Sequence, residues 1–169
     1  MADRPAADIR RLAGDLTSTD VAVRMRAAEG LAQAGAEAGA AAVELVHACA
    51  DPDAGVREWV VAALEGLGPA PDGSLAALTS LAGDAEPLTA YWALTLLGRS
   101  GAAAAPAVAA IAARLAPPAP VEVRQRAAWA LARLGPAAAP AADGLRAAAA
   151  ADDPRLARLA SEALAALGG

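Results

Sequence analysis

The chain has 169 residues, a net charge of -5 at pH 7 and a single cysteine, so its length suits one domain that can bury a core. Its acidic charge and the absence of a basic stripe argue against a nucleic-acid partner. Its apolar runs are broken well before the roughly 20 residues that cross a membrane, so we expect no membrane partner either.

A 13-residue pattern recurs every 32 to 35 residues along the chain. Each copy has apolar residues at its first, fifth, ninth and twelfth places, the spacing of a helix with one buried stripe. The copies begin at Val23, Val56, Leu88, Val123 and Leu156. A second helix is predicted before each copy, and in chain order these helices are Pro5 to Leu16, Ala36 to Ala50, Ser74 to Leu81, Ala105 to Leu115 and Pro140 to Ala150.

The ends of the recurring helices carry stop and start signals. An aspartate that can N-cap the helix stands before three of them, at Asp20, Asp53 and Asp153. A glycine follows four of them at the thirteenth place, where a left-handed residue ends a helix at low cost. These glycines are Gly35, Gly68, Gly135 and Gly168.

Helix pairs of about 33 residues cannot bury their apolar faces alone and therefore stack on one another. We predict an all-α fold, a right-handed solenoid of about five helix pairs that forms a single domain over residues 1–169. The approximate repeats are 5–35, 36–68, 69–101, 102–135 and 136–169. The recurring helices would form the concave layer and the preceding helices the convex one.

The segments "DAGVREWVVAALEGLG" and "VEVRQRAAWALARLGPAAAPA" resemble HEAT repeats of the bacterial type related to phycobilisome lyases. The resemblance implies a scaffold or adaptor, with bilin lyase-isomerases and alkyl-purine DNA glycosylases as an enzymatic minority. It also implies a structural ladder in which the arginine after the first valine pairs with a turn aspartate. The matching arginines are Arg24, Arg57 and Arg124, and the nearby aspartates are Asp20, Asp53 and Asp84. The Ala- and Arg-rich composition is typical of a high-GC bacterial genome.

All four aromatic residues fall on recurring helices. Trp59 and Tyr91 occupy the fourth place and Trp129 the seventh, and these two places share a face that is not the buried stripe. We therefore predict a concave binding surface composed of Arg26, Trp59, Tyr91, Arg126 and Trp129. The arginines would favour an acidic or carboxylate-bearing ligand. The alternative is that the large side chains only fill space between helices, as we expect for Trp92 at the fifth, stripe position.

The sequence offers little catalytic chemistry. His47 is the sole histidine, and Cys49 two residues later lies on another helix face, so we expect no nucleophilic triad. Without a second histidine or a cysteine cluster we expect no metal site, and with glycines only at helix ends we expect no phosphate loop or cofactor. Glu29, Glu58 and Glu162 are weak candidates for acid-base work, and ordinary exposed charge is the alternative reading.

Two functions remain open at this point. The first is a non-enzymatic, monomeric scaffold that binds a protein or peptide on its concave face, because Trp, Tyr and Arg dominate binding interfaces. The second is a small-molecule-binding protein or an enzyme of the cyclase, isomerase or lyase type, with an aromatic wall and Glu29 or Glu58 as acid or base. An enclosed pocket beside a carboxylate would favour the second, and an open trough the first. The single cysteine and the lack of a signal peptide predict a cytoplasmic protein.

Overall fold

The computed structural model describes residues 4–168, with side chains from residue 6 onward. This range contains ten α-helices, four 3-10 helices and no strand, which confirms the all-α class. The α-helices are α1 Arg4–Asp15, α2 Val21–Ala34, α3 Ala42–Ala48, α4 Ala54–Gly66, α5 Leu75–Leu81, α6 Pro87–Arg99, α7 Val108–Ala112, α8 Val121–Leu134, α9 Ala142–Ala149 and α10 Pro154–Ala166. None of these helices combines the length and apolar character that a bilayer crossing demands.

The recurring segments form the longer helices α2, α4, α6, α8 and α10, each of which begins one or two residues before its aligned copy. The predicted N-caps are confirmed. The side chains of Asp20, Asp53 and Asp153 accept hydrogen bonds from backbone amides in the first turns of α2, α4 and α10, at 2.8, 3.0 and 2.7 Å. The apolar stripe is buried, as Val56, Val60 and Leu64 of α4 show at 0% exposure.

Four of the helices that precede the copies, α3, α5, α7 and α9, are shorter than predicted, whereas α1 has the predicted length. Three of the four follow a seven-residue 3-10 helix, over Gly35–Ala41, Gly101–Ala107 and Gly135–Ala141. Pro106 and Pro140 lie inside the last two of these segments, and a proline supplies no N–H for an α-helical bond. In these two segments the α-helical part therefore begins only at α7 and α9.

Left-handed glycines mark the start of all three 3-10 segments. Gly35, Gly101 and Gly135 have φ angles of 55°, 55° and 60°, a region that other residues rarely adopt. The prediction is thus confirmed for Gly35 and Gly135 and wrong for Gly68 and Gly168. The helices α4 and α10 end earlier, at Gly66 and Ala166, and neither Gly68 nor Gly168 is left-handed.

The chain forms two compact units, residues 1–74 and 75–169. In the first unit, α2 packs along α4, with α1 against α2 and α3 against α4. In the second unit, α6 packs along α8 and α8 along α10, while α5, α7 and α9 each pack against the longer helix that follows. Each unit has its own buried core, and the repeated packing of long helices gives the fold its repeat-like character.

An ion pair joins Arg24 of α2 to Asp51, which precedes α4. The guanidinium donates to both carboxylate oxygens, from Nε at 2.7 Å and from Nη2 at 3.1 Å. Burial alone would raise the pKa of Asp51, but hydrogen bonds from Arg24 and from the backbone amide of Asp53 lower that pKa below its ordinary value. The pair is therefore a pH-sensitive contact of the first unit.

The other two ladder arginines bind carbonyl oxygens and not carboxylates. Arg57 Nη1 donates to the carbonyls of Asp51 at 2.6 Å and Pro52 at 3.0 Å, and Arg124 Nε donates to the Leu115 carbonyl at 2.9 Å. The common role of these arginines is to satisfy carbonyl groups of the turn before the helix. The expected partners Asp20, Asp53 and Asp84 instead accept backbone N–H groups at their own turns.

Candidate functional site

The five residues predicted to bind a partner are divided between the two units. Arg26 of α2 is exposed and Trp59 of α4 is 39% exposed, both in the first unit. Tyr91 of α6 and Arg126 and Trp129 of α8 are half-buried in the second unit. The second unit brings these last three side chains into direct contact.

The Arg126 guanidinium lies between two aromatic rings. Its Cζ atom is 4.2 Å from the ring centroid of Tyr91 and 4.9 Å from that of Trp129, which is within cation-π range. Its Nη2 group also donates a hydrogen bond to the Tyr91 hydroxyl. Residues at the fourth place of neighbouring copies thus meet, as the alignment of the copies implied.

Arg126 carries a positive charge that no carboxylate of the described residues balances through an ion pair or hydrogen bond. Burial lowers its pKa, and the positive charge of Arg155 lowers that pKa further. An arginine nevertheless stays protonated at neutral pH. Four of its five N–H donors are left over after the bond to Tyr91. The site therefore holds a half-buried cation that an anionic ligand would stabilise.

A cavity of about 480 Å³ opens beside this cation. Three arginines and two glutamates line it, so its lining is slightly basic in an acidic chain. Arg158 forms an ion pair with Glu162 within α10, whereas Arg155 and Glu122 are exposed. The lining comes from α6, α8 and α10 and consists of Tyr91, Glu122, Gln125, Arg126, Trp129, Arg155, Arg158, Leu159 and Glu162.

Most of the lining residues were not predicted, although the sequence contains a signal for them. On α8 they stand at i, i+3, i+4 and i+7, one face of a helix, and the same four repeat places line the cavity from α10. The predicted binding surface contains residues of only the last two of the four places. The lining residues outside it are Glu122, Gln125, Arg155, Arg158, Leu159 and Glu162, of which only Glu162 was named, as a weak acid-base candidate.

Gln125 ties the two helices of this wall together. Its Nε2 group donates to Asp153 Oδ1, the N-cap of α10, at 2.9 Å. The backbone amide of Leu156 and the Gln125 side chain both lower the pKa of Asp153. The carboxylate thus anchors the start of α10 beside α8.

Gly98 of α6 makes room for the ring of Trp129. A Cβ atom on Gly98 would lie 2.5 Å from Cζ3 of Trp129 and 3.0 Å from the Cα of Ala130. Gly98 is the penultimate residue of α6 and is buried, so the space that its missing Cβ leaves is filled by its neighbours. Without a Cβ, α6 and α8 approach closely and the indole lies against the backbone of α6, next to Arg126.

The residues considered for catalysis lie mostly elsewhere. Glu29 accepts a hydrogen bond from Gln33 at 3.2 Å and Glu58 is exposed, and both belong to the first unit. Glu162 lines the cavity but is paired with Arg158. His47 is exposed while Cys49 is buried. Within residues 4–168, no group of three or more His, Cys, Asp and Glu side chains is placed to hold a metal ion.

The sequence matches no family model and no curated protein. Its fold is similar to that of engineered proteins solved by the Northeast Structural Genomics Consortium. One of them is 22% identical with a TM-score of 0.63, over 95% of this chain and 79% of that chain. A second is 22% identical with a TM-score of 0.62, over 95% and 48%, and a third is 17% identical with a TM-score of 0.51, over 96% and 99%. At these identities the likeness concerns the fold alone.

Proposed function

We propose that the chain is a non-enzymatic binding protein, a scaffold or adaptor whose second-unit cavity takes a carboxylate-bearing segment of a protein partner. The observation that carries the proposal is Arg126, which is half-buried between Tyr91 and Trp129 and is paired with no carboxylate of residues 6–168. Aspartate or glutamate side chains of the partner would supply the missing charge.

The physical argument is one of charge and pre-organisation. A guanidinium and a carboxylate match in a two-pronged geometry, and a bound anion would offset both the burial of Arg126 and its repulsion by Arg155. The two rings hold the guanidinium in place before the ligand arrives, so little side-chain freedom is lost on binding. Tyr, Trp and Arg are also the residues that contribute most to binding energies.

The proposal includes the architecture that the sequence resembles. We take the ten helices as about five HEAT-like pairs of a right-handed solenoid in a cytoplasmic, monomeric bacterial protein. Support comes from the 32 to 35-residue period and from the repeated packing of α6, α8 and α10. HEAT-like proteins serve mostly as scaffolds, which agrees with a site that lacks an unpaired, buried acid or base.

A small-molecule ligand is the second candidate, and the size of the cavity favours it. About 480 Å³ falls within the roughly 300 to 1,000 Å³ of small-molecule sites, and a dicarboxylate would meet the same arginines. An enzyme of the lyase, isomerase or cyclase type would need a carboxylate beside the rings. Glu122 and Glu162 are the two that line the cavity.

A titration followed by NMR tests the proposal, with the indole N–H signals of the protein as reporters. We expect acetyl-(Glu)4-amide to shift the Trp129 signal saturably and acetyl-(Gln)4-amide to leave it in place. Arg126→Gln should abolish the shift. Arg133→Gln, the same charge change at an exposed position of α8 outside the cavity, should preserve it.

The outcome of the same titration separates the two candidates. Equal binding of the Glu and Gln peptides, or no response of Trp129 to the acidic one, would contradict the carboxylate assignment. Glutarate is the small-molecule probe. If glutarate binds more tightly than the tetrapeptide, the cavity is a small-molecule site and the adaptor proposal is wrong.

A further inference from the structure

An apolar cleft adjoins the arginine-lined cavity. Its volume is about 370 Å³ and it lies at the N-terminal ends of α6 and α8. Pro87 and Leu88 supply its accessible apolar surface, while Val123, also part of the lining, is only 1% exposed. The exposed glutamates Glu86 and Glu122 stand at it. The cleft therefore offers an apolar side chain a place to be buried and repels a carboxylate.

Two residues, Tyr91 and Glu122, line both recesses and therefore lie where they adjoin. Tyr91 contacts Arg126 on the side of the cavity. It also meets Trp92 edge to face, with ring centroids 5.7 Å apart and an interplanar angle of 84°. Trp92 is only 6% exposed, so the tyrosine is held by a buried neighbour. A ligand that enters both recesses passes next to this fixed ring and to Glu122.

Leu88 distinguishes α6 from the other long helices of the second unit. The first place of each copy belongs to the buried stripe, and Val123 and Leu156 at that place are 1% and 0% exposed. Leu88 is only half-buried, so part of an aliphatic side chain expected in the core is left open to the cleft. Covering it by a ligand side chain would remove apolar surface from water.

We propose that the second unit recognises an extended peptide in which an acidic residue and an aliphatic residue are separated by one residue. The carboxylate binds Arg126 in the cavity, and the aliphatic side chain packs against Pro87 and Leu88 in the cleft. The spacing follows from extended backbone, in which alternate side chains point to the same face. This inference rests on the proposed function and adds a second, apolar contact to it.

Four blocked pentapeptides test the inference. Acetyl-Leu-Ser-Glu-Ser-Leu-amide places leucine two residues from the glutamate in both directions. Acetyl-Ser-Leu-Glu-Leu-Ser-amide has the same composition with leucine adjacent to the glutamate. Acetyl-Ala-Ser-Glu-Ser-Ala-amide removes the aliphatic groups, and acetyl-Leu-Ser-Gln-Ser-Leu-amide removes the charge. The affinities are measured by NMR titration, with the methyl signals of Leu88 and Val123 and the indole signal of Trp129 as reporters.

The first peptide should bind about tenfold or more tightly than each of the other three, because burial of a leucine side chain is worth at least that factor. It should shift the Leu88 and Val123 methyl signals together with Trp129. In the protein, Leu88→Ala should weaken the leucine peptide to the level of the alanine peptide and leave the alanine peptide unchanged. Val21→Ala, at an exposed site 40% accessible in α2, is the matched control and should change neither.

The outcomes separate this inference from the proposed function. If the alanine peptide or the same-composition peptide binds as tightly as the first, the spaced apolar contact is wrong while carboxylate binding stands. If the glutamine peptide binds as tightly as the first, the carboxylate contact is wrong, and the proposed function fails together with the inference. If no acidic peptide moves the Trp129 signal, the proposed function itself fails and the inference fails with it.

Discussion

Gly98→Ala is a small change with a large expected effect, because α6 and α8 approach each other at this residue. The new methyl group would lie 2.5 Å from Cζ3 of Trp129, 3.1 Å from its Cε3 and 3.0 Å from the Cα of Ala130. A side chain can rotate away, but the Ala130 backbone yields only if α8 moves. The substitution therefore pushes the indole out of its place and separates the two helices.

The magnitude is a difference of two opposing effects. Gly98 is the penultimate residue of α6, so alanine is favoured there over glycine by at most about the 1 kcal/mol of a helix interior, whereas overpacking a core typically costs about 1 to 3 kcal/mol. A contact of 2.5 Å with the Trp129 ring and one of 3.0 Å with the backbone of α8 place this site at the upper end of that range. We expect Gly98→Ala to lower the free energy of unfolding by about 1 to 2 kcal/mol.

Gly66→Ala is the matched control, since Gly66 occupies the same repeat place in α4. A Cβ atom there would meet only the Cα of Gly35, at 3.9 Å, an ordinary contact. This variant should be neutral or more stable by up to about 1 kcal/mol. Urea unfolding followed by circular dichroism measures both variants. A Gly98→Ala protein as stable as the Gly66→Ala protein would refute the close-packing argument. The same holds if Gly98→Ala lowers the free energy of unfolding by an equal amount in a chain that already carries Trp129→Ala and so lacks the ring.

Three further predictions concern stability. Trp59→Ala should lower the free energy of unfolding by less than about 1 kcal/mol, because its side chain is 39% exposed. Trp129→Ala should lower it by about 2 to 3 kcal/mol, which is less than the 3 to 5 kcal/mol of a fully buried ring. Urea unfolding of both variants measures this difference. Arg24 lowers the pKa of Asp51 in the folded protein. The carboxylate therefore stabilises the fold above its unfolded pKa of about 3.9, and this stabilisation is lost as the pH falls through the folded pKa. Asp51→Asn should for this reason flatten the acid branch of the curve of unfolding free energy against pH, below about pH 4. Arg57→Ala should lower the free energy of unfolding by about 1 kcal/mol, since two carbonyl oxygens lose their donor. An unchanged midpoint of urea unfolding would contradict the role of Arg57 in satisfying these carbonyls.

The helices could be predicted because their signals are local. The 3-4 spacing of apolar residues locates α2, α4, α6, α8 and α10, and a capping aspartate is apparent from its own side chain and the amide it faces. The 3-10 segments were not predicted because an alanine-rich sequence with no more than two prolines fits an α-helix almost as well. The ladder aspartate was assigned wrongly because Asp51 reaches Arg24 across 27 residues, a distance that no local rule fixes.

The site could be predicted only in part, for a related reason. Alignment of the copies brings Tyr91 and Arg126 to the same level, and the structure places them in contact. The position of Trp129 depends on a missing Cβ at Gly98, which belongs to a different helix. Alignment of the copies therefore does not predict this packing, in which Trp129 is both part of the cavity wall and packed against α6.

A crystal structure of the protein with acetyl-(Glu)4-amide bound would test the central claim most directly. We expect a glutamate carboxylate within about 2.7 to 2.9 Å of the Arg126 guanidinium nitrogens, in the cavity lined by Tyr91, Trp129 and Arg155. A complex in which the carboxylates bind elsewhere and the Arg126 guanidinium contacts no anion would contradict the account.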